Sequence, residues 1–227
     1  MLWIHDLLLL FFPSNCLVCG KRLPSRLQAL CFVCETNLPR TGFQKKEANP
    51  VSQIFWGRVP VVCATSLFRF EKGSAYQSLL HELKYKGHRR AGTYLGRLLG
   101  LALLNTPYSD CELMIPVPLH PRKLKQRGYN QSEIIARGVS EITGIPLAAR
   151  LIKRKDYRSS QTTMSRQERF ENMSGAFTLS GNSRDLEDKK ILLIDDVLTT
   201  GATLEACCQV ILSQYNCRIY IATVACA

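Results

Sequence analysis

Acids are scarce in this sequence. Its 227 residues carry 18 Asp and Glu against 30 Lys and Arg, which leaves a formal charge of +12 and a pI near 9.4. Such a surface disfavours cationic partners and attracts polyanions: nucleic acid and nucleotide phosphates first, an anionic membrane surface behind them. A bilayer-spanning run is missing too. The apolar stretch LLLLFF occupies only residues 7–12, whereas a spanning helix needs about 20 residues. No basic segment precedes it and no small-residue cleavage site follows it, so a secretory leader is not expected either. The expectation is an amphipathic or buried helix over residues 2–12, stopped by Pro13 and docked on the rest of a cytoplasmic protein that has no stable membrane insertion. Internal repeats and low-complexity tracts are absent as well, which leaves no sign of a solenoid or a fibrous array.

What is present suits one globular domain plus a small accessory module. Apolar residues make up 46% of the chain, enough at this length to bury a core without covalent staples. In a cytoplasmic setting the ten cysteines are expected to be thiols or metal ligands before disulfides. CLVCG and CFVC set out Cys16 and Cys19, then Cys31 and Cys34, as two C-x-x-C pairs, with Gly20 supplying the tight turn of a knuckle. A closed tetrahedral set of four thiolates has no position left for water, so the expected occupant is one structural Zn2+. Four ordinary reduced cysteines are the bland alternative. Cys63, Cys111, Cys207, Cys208, Cys217 and Cys226 lack such spacing and read as core.

The polar stretch RTGFQKKEANPVSQ, residues 40–53, reads as a linker, which divides the chain into a helix and zinc module over 1–45 and a larger unit over 46–227. In that unit, residues 59–70 and 112–118 have the β-branched and apolar pattern of strands, while 74–87 and 91–104 follow a helical period. Asn130 lies three residues before Glu133, the pattern of a capping box opening a helix over 130–142. Strands at 149–154, 175–179, 191–195 and 217–224 alternate with helices at 165–172 and 203–214. The fold class is therefore α/β, a mostly parallel sheet with flanking helices.

One stretch concentrates chemistry: ILLIDDVLTTGATL, residues 191–204. The apolar run is a strand buried on both faces, and a parallel sheet presents its chemistry at the carboxyl ends of such strands. Asp195 and Asp196 stand at that end. Thr199, Thr200, Gly201, Ala202 and Thr203 then turn into a helix, an anion cradle of unpaired N–H groups, hydroxyls and the positive end of the dipole. Two acids just before a phosphate turn suit a sugar phosphate, the acids accepting from vicinal hydroxyls. The bland alternative is that the acids end a strand and cap a turn. The turn is no P-loop, because the G-x-x-x-x-G-K-[ST] lysine is missing.

This strand, its paired acids and TTGAT resemble the 5-phosphoribosyl 1-pyrophosphate (PRPP) motif of type I phosphoribosyltransferases. The resemblance implies that Asp195 and Asp196 hold the ribose hydroxyls and Thr199–Thr203 the 5′-phosphate. IPVPLHPRKLKQRGYNQSEIIARGVS, residues 115–140, together with residues 161–177 and the cysteine pairs, is similar to the ComF family of bacterial competence and DNA-utilization proteins. In such a fold the loop HPRKLKQRG lies beside the first site, where Arg122, Lys123 and Arg127, with Lys125 nearby, would take the pyrophosphate of PRPP with Mg2+. A solvated basic loop is the alternative. Further cations at 84–90 and 150–158, interleaved with Tyr85 and Tyr157, could follow a nucleic-acid backbone, and a plain surface explains them equally well.

Two functions stay open on these grounds. One is a ComF-like role in DNA uptake for transformation or in the use of extracellular DNA, with PRPP or a related phosphoribosyl ligand, single-stranded DNA and a competence-machinery protein as partners. The other is a transferase moving the phosphoribosyl group of PRPP to a nitrogen acceptor. No segment reads as a base-recognition hood, and no residue stands out as a general base.

Overall fold

The computed structural model describes residues 14–25, 27–71, 73–85, 89–155, 176–180 and 186–227. The helices expected at 2–12 and 165–172 lie outside these residues. In chain order the elements are α1 (Phe32–Thr36), α2 (Pro50–Gln53), β1 (Cys63–Arg69), α3 (Gln77–Tyr85), α4 (Arg89–Leu103), β2 (Leu113–Pro116), α5 (Pro121–Arg127), α6 (Gln131–Thr143), β3 (Ile152–Arg154), β4 (Phe177–Leu179), β5 (Lys190–Leu198), α7 (Ala202–Leu212) and β6 (Arg218–Cys226). No helix among the described residues is long and apolar enough to cross a membrane.

The central sheet runs β1-β6-β5-β2, and every pairing in it is parallel. Alternation along its inner strands feeds two cores. Leu192 and Ile194 of β5 join Tyr220, Ala222 and Val224 of β6 in a cluster with Leu79, Leu95 and Val139, which places α3, α4 and α6 on one face. Ile191, Leu193, Ile219 and Ile221 point the other way, toward Phe55, Leu204 and Ile211. A strand covered on both faces needs continuous apolar residues, and ILLI supplies them.

On the first face α4 and α6 approach to backbone contact. A Cβ on Gly96 would stand 2.2 Å from the Ile135 carbonyl oxygen, and one on Gly138 would stand 2.3 Å from that of Thr93. Only glycine fits on either side of this crossing.

Several local expectations change. β3 and β4 do not join the main sheet; they pair antiparallel as a separate ribbon whose Ile152 and Phe177 pack on the second core. The basic loop after β2 is the helix α5, which His120 caps by accepting the Arg122 N–H on Nδ1 at 3.2 Å, with Pro121 at its first position. Asn130 does cap α6 through the Ser132 N–H at 3.2 Å, but Glu133 turns to Arg137 one helical turn on, at 2.7 Å, instead of back to the cap.

The expected linker is packed. Asn49 is 2% exposed; its amide donates to the carbonyls of Lys46 and Ala64, both at 2.9 Å, while its Oδ1 accepts from Val51 and Ser52 and caps α2. The cysteine segment is continuous with the larger unit too, because Cys16, Leu23, Leu30 and Cys34 share one buried cluster with Leu79, Leu83 and Tyr94. The six unpaired cysteines follow the core reading, Cys217 half-buried and the other five buried.

Candidate phosphoribosyl site and metal centre

β5 does not stop at its acids. Asp195 lies in register with Thr223 and Leu198 with Cys226, so the strand carries Asp195 and Asp196 within its carboxyl-terminal half. Asp195 Oδ1 accepts the Ser132 hydroxyl at 2.7 Å and the Asp196 N–H at 2.9 Å. Asp196 Oδ1 accepts the Val197 N–H at 2.7 Å, and its Oδ2 lies 3.4 Å from Lys84 Nζ. Burial and the neighbouring Asp196 charge push the Asp195 carboxyl up to about 7, against the pull of Ser132, the Asp196 N–H and Lys84.

Beyond the strand, Thr199 and Thr200 are exposed, and Gly201 opens α7 with φ 76°. As the glycine of the cradle, Gly201 lets an anion approach the backbone. The structure adds a constraint from behind the turn: a Cβ there would meet Ile54 Cγ2 at 2.8 Å and Phe55 Cε1 at 3.2 Å. Residues 197–204 and Asp195 enclose a niche of about 40 Å3, the size for one small polar group.

The niche adjoins a cavity of about 340 Å3 that brings the predicted residues together. Asp195, Asp196, Thr199 and Thr203 line one side, and Lys123 and Arg127 of α5 line another; Arg122 is not among the lining residues. Two further cations, Lys84 and Arg154, line it as well. Both belong to the basic runs that the sequence leaves open between a nucleic-acid track and a plain surface. Arg154 is held there over the Phe177 ring at 5.3 Å, its partner across the ribbon. Four cations against two carboxylates make the cavity favourable for an anion.

Ser132 and Gln131 are the other residues that sequence reasoning passed over. Both sit in the first turn of α6 and line the cavity. Gln131 Oε1 accepts from Arg127 at 3.1 Å, while its side-chain nitrogen is buried without an acceptor among the described residues. A buried donor in that condition asks for a ligand oxygen. Their position just after the Asn130 cap was the one available signal.

The cysteine pairs converge. Sγ atoms of Cys16, Cys19, Cys31 and Cys34 all lie within 4.8 Å of one another, with Cys19 and Cys31 3.7 Å apart. A tetrahedral zinc site with the usual metal–sulfur length sets its sulfurs about 3.8 Å apart, so the set fits a four-coordinate metal. The knuckle closes through the Gly20 N–H on the Cys16 carbonyl at 2.9 Å. Burial alone would raise the Cys16 thiol, yet the N–H groups of Cys19, Cys31 and Val18 outweigh it and bring the thiol down to about 7. Backbone donors directed at a sulfur favour the thiolate that a metal needs. Cys34 goes the other way, pushed up by burial and by the adjacent thiols.

Comparison with known proteins agrees with the phosphoribosyl part. The phosphoribosyl transferase domain model matches residues 125–226, the stretch that carries α6, the paired acids and the TTGAT turn. Competence protein F of Haemophilus influenzae is 31% identical over 130 residues, which cover 56% of this chain and 57% of that protein. DNA utilization protein YhgH of Escherichia coli K12 is 24% identical over 221 residues, covering 90% of this chain and 93% of that one. These likenesses support a ComF-family protein. The chain carries a phosphoribosyltransferase domain behind a four-cysteine segment able to hold a metal. The bifunctional protein PyrR of Haemophilus influenzae is 32% identical over 83 residues, 37% of this chain and 44% of its own.

Proposed function

We propose that this protein binds PRPP or a related phosphoribosyl ligand at the carboxyl ends of β2 and β5, and serves competence or the use of DNA. The observation that carries the reading is the one cavity in which two carboxylates, the Thr199–Thr203 turn and four cations meet. Asp195 and Asp196 accept from the ribose 2′ and 3′ hydroxyls, the turn holds the 5′-phosphate, and Lys123, Arg127 and Arg154 face the diphosphate. Mg2+ bound with the diphosphate would neutralise part of its charge. Among the described residues the cysteine set is the one group of three or more His, Cys, Asp or Glu suited to a metal; Mg2+ would come to the cavity with the diphosphate.

The four cysteines take a structural Zn2+ in this proposal, and the cut at residue 45 is a division of roles within one continuous core. The names of the relatives point to DNA, and the charge of +12 exceeds what one small ligand requires. Single-stranded DNA on the basic surface, a competence-machinery partner and a cytoplasmic setting belong to the same reading.

A catalytic phosphoribosyltransferase is the second reading, and Asp195 favours it. A carboxyl pushed up to about 7 beside the proposed ribose is a proton acceptor suited to neutral pH. Its reaction would transfer the phosphoribosyl group to a nitrogen nucleophile with loss of pyrophosphate.

Calorimetry tests the shared step. PRPP should bind the wild type, and replacing Asp195 and Asp196 together by Ala should weaken it about 100-fold, the loss of two charge-assisted hydrogen bonds. Unchanged affinity in the double variant would place the ligand elsewhere. Pyrophosphate release in the presence of nucleobases then separates the catalytic reading from the binding one.

A further inference from the structure

A carboxylate stands close to the proposed phosphate turn. Glu205 lies in the first turn of α7, four residues beyond Gly201, and its side chain is 13% exposed. That position suits the helix dipole but repels any phosphate seated on residues 199–203. Arg58 answers the conflict. Its Nη2 donates to Glu205 Oε2, and its Nη1 donates to the Thr200 carbonyl at 2.9 Å and the Ile54 carbonyl at 3.0 Å. Neither Arg58 nor Glu205 lines the niche or the cavity. Ile54 and Phe55, from the same turn, press on the back of Gly201.

We propose that residues 49–58 are a buttress for the phosphate turn and that Arg58 is its positioning residue. The inference rests on the phosphoribosyl reading and deepens it. Arg58 acts in two ways: it neutralises the Glu205 carboxylate that would repel a phosphate monoester, and it fixes the Thr200 carbonyl so that the turn keeps one shape. Asn49 holds the other end of the buttress on β1, through the Ala64 carbonyl at 2.9 Å. A stretch that starts inside the segment read as a linker and runs just beyond it thus controls a binding turn more than 140 residues away, Arg58 and Thr200 being 142 positions apart.

The test is a double-substitution cycle read by ribose 5-phosphate affinity in the full chain. Arg58→Met should weaken ribose 5-phosphate about tenfold or more, since it leaves the Glu205 carboxylate without its counter-charge and releases the Thr200 carbonyl. Arg58→Lys should recover only part, because one ammonium lacks the guanidinium fork. Glu205→Gln alone should change affinity little, and Glu205→Gln added to Arg58→Met should restore a large share of the loss. An Arg58→Met affinity within twofold of wild type, or strictly additive effects in the cycle, would overturn the proposal. If the wild type itself fails to bind ribose 5-phosphate, the phosphoribosyl reading falls, and amide exchange at residues 199–203 judges the buttress alone. Faster exchange there in Arg58→Met supports it; exchange unchanged from wild type overturns it.

Discussion

Ser132 gives its hydroxyl to Asp195 Oδ1 across 2.7 Å, and so ties the first turn of α6 to the carboxyl-terminal half of β5. The bond does more than orient a carboxylate. It comes from a helix whose other face crosses α4 at Gly138 and Gly96, so the rigid helical layer bears directly on the site. Lys84 of α3 does the same for Asp196 at 3.4 Å.

The Asp195 carboxyl should make both stability and binding depend on pH, with opposite signs. Its pKa in the fold is raised from 3.8 to about 7 by burial and by Asp196. The protonated form is therefore favoured by folding: its contribution to stability is fully present below about pH 4 and is lost as pH rises through about 7. Asp195→Asn should consequently raise the melting temperature relative to wild type at pH 8 and leave it nearly unchanged at pH 4. Ligand hydroxyls need the ionised form, so ribose 5-phosphate should bind wild type more tightly as pH rises through 7. The Asn variant should lose the part of that dependence owed to Asp195. Equal melting shifts at both pH values would contradict this account.

Residues 153–155, at and just beyond the end of β3, should separate the ligand from DNA. Arg154 lines the cavity, whereas Lys153 and Lys155 are exposed. Arg154→Ala should weaken PRPP about tenfold, the loss of a charged contact to the diphosphate. Lys153→Gln with Lys155→Gln should leave PRPP binding intact and flatten the log-affinity against log-salt slope for single-stranded DNA by about 1.4. Arg89 and Arg90 are poorer probes, because Arg89 bonds the Gly128 carbonyl at 3.2 Å and Arg90 the Ser14 hydroxyl at 2.7 Å. A wild type without affinity for single-stranded DNA at low salt would remove direct DNA binding from the proposal.

Metal analysis of protein purified without chelator should give one zinc per chain, and Cys16→Ser or Cys31→Ser should abolish it. Because Cys16 and Cys34 share a core with Leu79, Leu83 and Tyr94, removing the metal should lower the main unfolding transition. A separate early transition, with the main one unmoved, would show that the cysteine segment is energetically independent.

Gly96→Ala should destabilise the fold by about 1–3 kcal/mol, the range for overpacking, and by more if the helices cannot part, because the obstacle is the Ile135 carbonyl and not a mobile side chain. Denaturant melts at one pH decide it. A neutral effect would mean that the α4 and α6 crossing is looser than the structure has it.

Sequence alone determined the parts of this protein whose physics is local or strictly periodic. ILLI could only be a strand covered on both faces, and DD followed by TTGAT could be read as acids before a helix start because those residues are contiguous. The C-x-x-C pairs announced a four-ligand set because spacing within each pair fixes how two sulfurs can converge. Tertiary structure decided what depends on long-range approach. Lys84 and Arg154 are 70 positions apart and share a cavity only because α3 and the ribbon both end near the carboxyl edge of the sheet. The ribbon itself, Ile152–Arg154 against Phe177–Leu179, has strands too short to declare whether they join the main sheet. Residues 40–53 looked like a linker because they are polar, and they are ordered because Asn49 satisfies buried carbonyls of both its own turn and β1. Polarity sets what a segment can tolerate in water, while the carbonyls it meets decide whether it stays there.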